Sequence, residues 1–188
     1  MVIHELSHGV VALALGDQTA RLAGRLTLNP LKHVDPIGTI FLPIFLRMVN
    51  SPIVFGWAKP VPINVFNLRH PKRDMLWIGV AGPMANLLLA VVSAAVLKLF
   101  GRGLPDLMVG LIRYLAVVNL VLGIFNLLPI PPLDGSRVLV GLLPARFMVA
   151  LLLMEKWGFL LVILLLYSGW IDKLLGPMLG FLIHTLGL

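Results

Sequence analysis

Long apolar stretches alternate with short polar connections along this chain, and the pattern predicts helices that lie in a membrane. Residues 75–100 and 107–128 are each long enough to cross a bilayer, because one span takes about 20 predominantly apolar residues. Residues 157–171 predict a shorter span, and residues 2–16 predict a first helix. That first helix is expected to lack the N-terminal half that a full crossing requires.

Two further apolar regions are interrupted by residues that turn or break a helix. Residues 37–57 contain two prolines, an arginine and an asparagine, so a full span and a re-entrant segment both fit them. The segment from Asn126 to Gly135 has three prolines among four consecutive residues, and a helix cannot continue through them. Irregular backbone in an apolar region is tolerated where it is buried in protein or lines a wet cavity.

The polar connections carry weaker signals. Short alternating apolar runs between Ala20 and Leu28 predict a small β-hairpin within residues 17–36. Residues 145–156 predict an interfacial amphipathic helix. The fold class expected from these patterns is an all-α polytopic membrane protein. It would form a single domain over residues 1–188, with a bundle of about four transmembrane helices, a re-entrant segment and the small β-hairpin.

Composition supports a membrane protein. Hydrophobic residues make up 59% of the chain, charged residues make up 12%, and the mean hydropathy is +1.00. A soluble domain has roughly a quarter of charged residues. The chain contains no cysteine, so any metal ion must be held by His, Asp or Glu side chains.

Basic residues outnumber acidic ones, and the net charge is +7. In a membrane protein this excess marks the cytoplasmic side, and no nucleic-acid partner is expected. If residues 37–57 re-enter the membrane, the connections 17–74 and 129–156 lie on one side and hold eleven of the fifteen Lys and Arg residues. The positive-inside rule favours this arrangement, which also brings the end of the first helix and the break at 129–135 to the cytoplasmic side.

The candidate chemistry begins at the motif His4-Glu5-Leu6-Ser7-His8. On a helix, His4 and His8 share one face and can hold one zinc ion, while Glu5 can act as general base on a metal-bound water. The alternative is a helix with two buried structural histidines. Asp134 lies in the proline-rich break, and a carboxylate in a membrane segment is a functional candidate. His33 is either an additional ligand or a loop histidine.

Three motifs together resemble the site-2 protease family of intramembrane zinc metalloproteases (peptidase family M50). They are the HExxH motif, the segment Gly82-Pro83-Met84-Ala85-Asn86, and the segment from Asn126 to Gly135 with its Leu-Asp-Gly. The resemblance covers roughly residues 1–143. It implies that the zinc ligands are His4, His8 and Asp134 and that the general base is Glu5.

The resemblance also bears on polar residues within the predicted spans. It implies that Asn86 and Asn126 hold the substrate strand or the oxyanion by hydrogen bonds, while amide bonding between helices is the equal alternative. Asn119 is expected to be structural, and Gly82 is expected to permit close helix packing. The hairpin predicted at residues 20–36 would clamp an extended substrate by adding a strand.

The function expected from this sequence is that of a hydrolase, an intramembrane zinc metalloendopeptidase of regulated intramembrane proteolysis. Its partners would be a transmembrane protein substrate and the lipid bilayer, in a prokaryotic inner membrane, with the active site toward the cytoplasm. The sequence does not predict an oligomeric state. One alternative is a catalytically inactive zinc-binding or scaffold protein in the membrane. A metal transporter would show acidic residues on several spans or internal repeats, and neither occurs here.

Overall fold

The computed structural model describes residues 1–51, 54, 56–144, 157–158 and 160–188, and this part of the chain is helical without a β-strand. The interfacial helix predicted for residues 145–156 lies outside the described residues. The helices are α1 (Val2–Ala14), α2 (Thr19–Leu22), α3 (Leu42–Met48), α4 (Pro71–Phe100), α5 (Asp106–Asn126), α6 (Asp134–Leu142), α7 (160–167) and α8 (Trp170–Leu186).

Helix α4 is the centre of the fold, because it packs against α1, α5 and α6. Two helical stretches of the described chain, Pro71–Gly103 and Asp106–Asn126, are long and apolar enough to cross a membrane. These stretches coincide with the predicted spans at 75–100 and 107–128, so the chain carries two membrane-capable helices. The expectation of about four spans stays a prediction.

The buried apolar residues form two clusters, each of which includes a residue of α4. The smaller cluster joins α1 to α4 through Ala12, Leu68 and Ile78. The larger one joins the C-terminal half of α4 to α5, to the proline-rich break and to the C-terminal helices. Its buried members are Ala90, Leu120, Ile124, Leu128, Leu133, Val162, Ile171 and Leu175. Helix α4 therefore contributes to both clusters, through Ile78 in the smaller one and Ala90 in the larger one.

The predicted β-hairpin within residues 17–36 is wrong. The chain there forms the short helix α2, a turn at Gly24 with φ +63°, and a 3₁₀ turn at Pro30–His33. The reason is local hydrogen bonding, which competes with a sheet ladder. The buried Asp17 carboxylate accepts from the backbone N–H of Thr19, the first residue of α2, at 3.0 Å, and the described part of the chain contains no strand that could pair with this region.

Gly38 and Trp57, 19 positions apart in the sequence, are in contact. A π-helical turn at Pro36–Phe41 continues into α3, and these 13 residues span about 20 Å at about 1.5 Å per residue. The N–H of Trp57 then donates to the carbonyl of Gly38 at 3.2 Å. The full-span and re-entrant alternatives for residues 37–57 both stay predictions. Residues 57–63 follow without helix or turn and are called the extended segment.

The C-terminal part differs from the predicted single span at 157–171. Helix α7 ends before Gly169, which has a φ of +69° and caps the start of α8. Ile171 and Leu175 of α8 are buried in the larger cluster. The apolar pattern is thus divided between two helices at a glycine that tolerates the left-handed conformation.

Candidate metal centre

Helix α1 places two histidines side by side against α4. His4 and His8 are 4% and 2% exposed, and their Nε2 atoms are 3.1 Å apart. Four residues along a helix make about one turn, so both rings project from the same face. The first helix thus supplies two nitrogen donors to one point.

Asp134, 126 residues after His8 in the sequence, brings the third donor. It is the first residue of α6, and its Oδ2 lies 3.0 Å from His4 Nε2 and 3.2 Å from His8 Nε2. A tetrahedral zinc ion with bonds of about 2.0–2.1 Å separates its ligand atoms by about 3.3 Å. Within the described residues, these three form the one His, Asp and Glu group close enough to hold a metal ion.

The hydrogen bond behind His8 shows that the donor set fits a cation. His8 Nδ1 lies 2.6 Å from the carbonyl oxygen of Ile78, which only accepts, so Nδ1 carries the proton. In neutral His8 the lone pair is then on Nε2 and faces the lone pairs of the Asp134 carboxylate. A metal ion between the two atoms turns this repulsion into ligation.

Two glycines allow the three donors to meet. A Cβ at Gly82 of α4 would lie 2.3 Å from His8 Nε2 and 2.7 Å from His4 Nε2. A Cβ at Gly135 would lie 2.3 Å from the backbone oxygen of Leu127 at the end of α5. Gly82 therefore leaves the space in which the ligand atoms sit, and Gly135 lets the start of α6 approach closely enough to place Asp134.

Arg137 orients the carboxylate. Its Nη1 donates to Asp134 Oδ1 at 3.1 Å, one turn along α6, which leaves Oδ2 directed at the histidines. Sequence reasoning missed this residue. The available signal was the spacing Asp134-x-x-Arg137, which puts both side chains on the same face of a helix.

A cavity of about 280 Å³ opens beside the three donors. Glu5 lies in its wall next to the extended segment, and Glu5 Oε2 accepts from the backbone N–H of Val61 at 2.9 Å. Prolines 60 and 62 have no N–H, so Val61 is the single backbone donor among residues 60–62. The other residues that line the cavity include His4, His8, Trp57, Ala58, Ile63, Asn126, Pro132, Asp134 and Arg137.

Arg25 holds the extended segment in place. It is 8% exposed, and its Nη2 donates to the carbonyl oxygens of Lys59 at 2.6 Å and Pro60 at 3.2 Å. These bonds fix the backbone that immediately precedes Val61. The geometry of the Glu5 carboxylate therefore depends on an arginine from the region in which the sequence predicted a hairpin.

The resemblance implies substrate-binding roles for Asn86 and Asn126, and the two side chains lie in different places. Asn126 lines the cavity and donates to the Leu122 carbonyl within its own helix. Asn86 is fully buried behind His4, with its Nδ2 3.2 Å from His4 Nδ1, and does not line the cavity. Their roles in substrate binding stay predictions.

Asn119 and His33 each bond to a carbonyl oxygen nearby in the sequence. Asn119 donates to the Leu115 carbonyl one turn back in α5, as a structural amide does. His33 is buried, and its Nε2 bonds to the Thr27 carbonyl oxygen at 2.9 Å. In the part of the chain that the structure describes, His33 is not a member of the metal-binding group.

Comparison with known proteins decides the family. The sequence model described as "Peptidase family M50" matches residues 105–166. The protein named "Putative zinc metalloprotease YwhC" of Bacillus subtilis is 38% identical over 185 residues, which cover 95% of this chain and 81% of that protein. The chain belongs to peptidase family M50.

A second relative supports the assignment. The "Putative zinc metalloprotease Rip2" of Mycolicibacterium smegmatis is 31% identical over 173 residues, which cover 92% of this chain and 65% of that protein. No solved structure matches the chain. The resemblance to the site-2 protease family is confirmed, and zinc is the cofactor of this M50 member.

Proposed function

We propose that this M50 member is an intramembrane zinc endopeptidase that cleaves peptide bonds in or near transmembrane segments of other proteins. The observation that carries the proposal is the juxtaposition of three buried metal donors, 3.0–3.2 Å apart, with the Glu5 carboxylate in one cavity wall. The zinc ligands are His4, His8 and Asp134. Three protein ligands leave one coordination position for water or substrate, as in catalytic zinc sites.

Zinc held by His4, His8 and Asp134 would supply a Lewis acid that activates water and polarises the scissile carbonyl. Glu5 takes a proton from the attacking water at its carboxylate and returns it to the amine nitrogen of the leaving group. The Val61 N–H holds Glu5 Oε2 at 2.9 Å, which keeps the base oriented. Arg137 keeps Asp134 Oδ2 directed at the metal position.

The cavity favours an extended substrate rather than an intact helix. Its volume of about 280 Å³ is smaller than one turn of a helix about 10 Å in diameter, which occupies about 420 Å³. A transmembrane segment must therefore unwind locally before its peptide bond reaches the donors. Asn126, in the cavity wall, is placed to hydrogen-bond the unwound backbone.

The membrane setting follows from the two long apolar helices and the charge distribution. The site lies where the start of α6, directly after the break at 129–135, meets α1, and the Lys and Arg residues of connections 17–74 and 129–156 favour the cytoplasmic side for both. We therefore assign the active site to the cytoplasmic side of a prokaryotic inner membrane.

Glu5→Gln tests the proposal because it keeps the size of the side chain and removes the base. Detergent-solubilised protein with and without the substitution would be incubated with a membrane-protein fraction, and new N-termini would be counted by mass spectrometry. We expect new termini with the parent chain and none with Glu5→Gln, at equal zinc content by elemental analysis. Equal zinc with no cleavage by either protein, in a fraction rich in single-span proteins, would refute proteolysis and favour the zinc-binding scaffold.

A further inference from the structure

We infer that Asn86 is the positioning residue of His4: its amide oxygen accepts the His4 Nδ1 proton and thereby presents the Nε2 lone pair to the metal. This inference rests on the proposed zinc site and adds to it a residue that supports the ligand His4. Asn86 is fully buried and shielded from the cavity, so its side chain acts through His4 and not on substrate.

The stripe of α4 behind the metal site consists of Ile78, Gly82 and Asn86, each one helical turn from the next. The Ile78 carbonyl accepts from His8 Nδ1 at 2.6 Å. The Asn86 side chain lies 3.2 Å from His4 Nδ1, and Gly82 leaves room for the Nε2 atoms between them. Each histidine thus has a polar group of α4 next to its Nδ1, a backbone carbonyl for His8 and a side-chain amide for His4.

The hydrogen-bond polarity at Asn86 follows from the requirements of the metal. If the amide nitrogen donated to Nδ1, neutral His4 would carry its proton on Nε2 and could not ligate there. In the structure that nitrogen faces the ring, while the amide oxygen is buried without a partner among the described residues. Rotation of the Asn86 amide group by a half-turn exchanges its nitrogen and oxygen and leaves its shape unchanged. The surrounding hydrogen bonds therefore decide which of the two atoms faces His4.

The half-turn removes the conflict at His4 between a donor facing Nδ1 and a metal ion at Nε2. It brings the unpartnered oxygen to the position 3.2 Å from Nδ1, where it accepts the Nδ1 proton and leaves Nε2 free for zinc. Metal-ligating histidines usually donate their second N–H to an acceptor of this kind, and loss of that acceptor typically weakens metal affinity by about 10–100-fold.

Zinc affinity of the full chain in detergent, measured by competition with a chelator of known affinity, tests the inference. Asn86→Leu removes the acceptor, and Asn86→Asp keeps one. Asn119→Leu removes a buried amide whose hydrogen bond, among the described residues, is to a carbonyl of its own helix α5. We expect Asn86→Leu to weaken zinc binding by about 10–100-fold. Asn86→Asp and Asn119→Leu are expected to stay within about threefold of the parent chain, a margin well below that loss.

Each other outcome is decisive. Parent-like zinc affinity of folded Asn86→Leu overturns the role of Asn86 and leaves the zinc site standing. Equal weakening by Asn86→Asp and Asn86→Leu overturns the proposed polarity, since an acceptor would then not suffice. If Asn86→Leu does not fold, Asn86→Ala takes its place in the same comparison. A parent chain that binds no zinc overturns the proposed function together with this inference.

Discussion

Gly82→Ala is the perturbation that tests the metal site most directly. The added Cβ would lie 2.3 Å from His8 Nε2, 2.7 Å from His4 Nε2 and 2.6 Å from His4 Cε1. Nonbonded carbon–nitrogen contacts begin near 3.4 Å, so His8 Nε2 must move by about 1 Å. A metal site tolerates about 0.2 Å in its ligand distances, and the required movement is several times larger.

The energetic consequence falls on zinc binding more than on folding. The atoms that clash are the far ends of two side chains, which can swing away at a cost near the lower end of the 1–3 kcal/mol typical of overpacking, about 1 kcal/mol. That movement breaks the 2.6 Å contact between His8 and the Ile78 carbonyl. We expect zinc affinity to fall by about 100-fold or more, because a ligand is displaced rather than only one of its outer partners.

Gly110→Ala is the matched control. Gly110 lies in α5, and a Cβ there meets nothing within 4 Å. The substitution should leave zinc affinity unchanged and stabilise the helix by about 0.5–1 kcal/mol. Chelator competition measures the affinity, and thermal unfolding in detergent measures the stability. If Gly82→Ala binds zinc as tightly as Gly110→Ala, the three donors do not form the metal site.

Three further predictions concern the surroundings of the site. Arg137→Gln should weaken zinc binding by about tenfold, because the Asp134 Oδ1 atom loses its arginine partner. Arg113→Gln, on the exposed surface of α5, should leave zinc binding unchanged. Chelator competition measures both affinities, and an equal effect of the two substitutions would contradict the role of Arg137. Removal of zinc should lower the midpoint of thermal unfolding, since saturation at 100 times Kd stabilises by about 2.7 kcal/mol; an unchanged midpoint would contradict it. Burial alone would raise the pKa of Asp17, but hydrogen bonds from Thr19, Asn67 and Asn64 lower it below its ordinary value. Asp17 therefore stabilises the fold above the unfolded pKa of about 3.9, and this contribution is lost as pH falls through the folded pKa. Asp17→Ala should cost about 2 kcal/mol at pH 7 and less at pH 3, measured by denaturant unfolding; an equal cost at both values would contradict the charged role.

The sequence predicted the parts of the fold that depend on residue order along one segment. Apolar length located α4 and α5, and the prolines at 129–132 located the break before Asp134. The HExxH motif identified two donors because helical periodicity alone places His4 and His8 together. The resemblance and the charge distribution predicted that Asp134 approaches the two histidines. In the structure Asp134 Oδ2 lies 3.0 Å and 3.2 Å from their Nε2 atoms.

What sequence reasoning missed depends on contacts between distant segments. The alternating residues at 20–28 suit a strand, but Asp17 accepts from Thr19 at the start of a short helix instead. Its other partners, Asn64 and Asn67, lie 47 and 50 residues later. The bond from the Val61 N–H to Glu5 joins residues 56 positions apart. Arg25 reaches the same segment from another direction. None of these pairs has a periodic spacing that a single sequence could reveal.

Helix α4 contributes no donor to the metal site, yet it determines where the donors can be. Its backbone at Ile78 orients His8, Gly82 leaves space for the ligand atoms, and Asn86 contacts His4. The same helix packs on α6, which begins with Asp134. A shift of α4 would therefore displace all three donors together, whereas a change in any one ligand leaves the other two in place. Substitutions on this face of α4 should consequently impair zinc binding even though they remove no ligand.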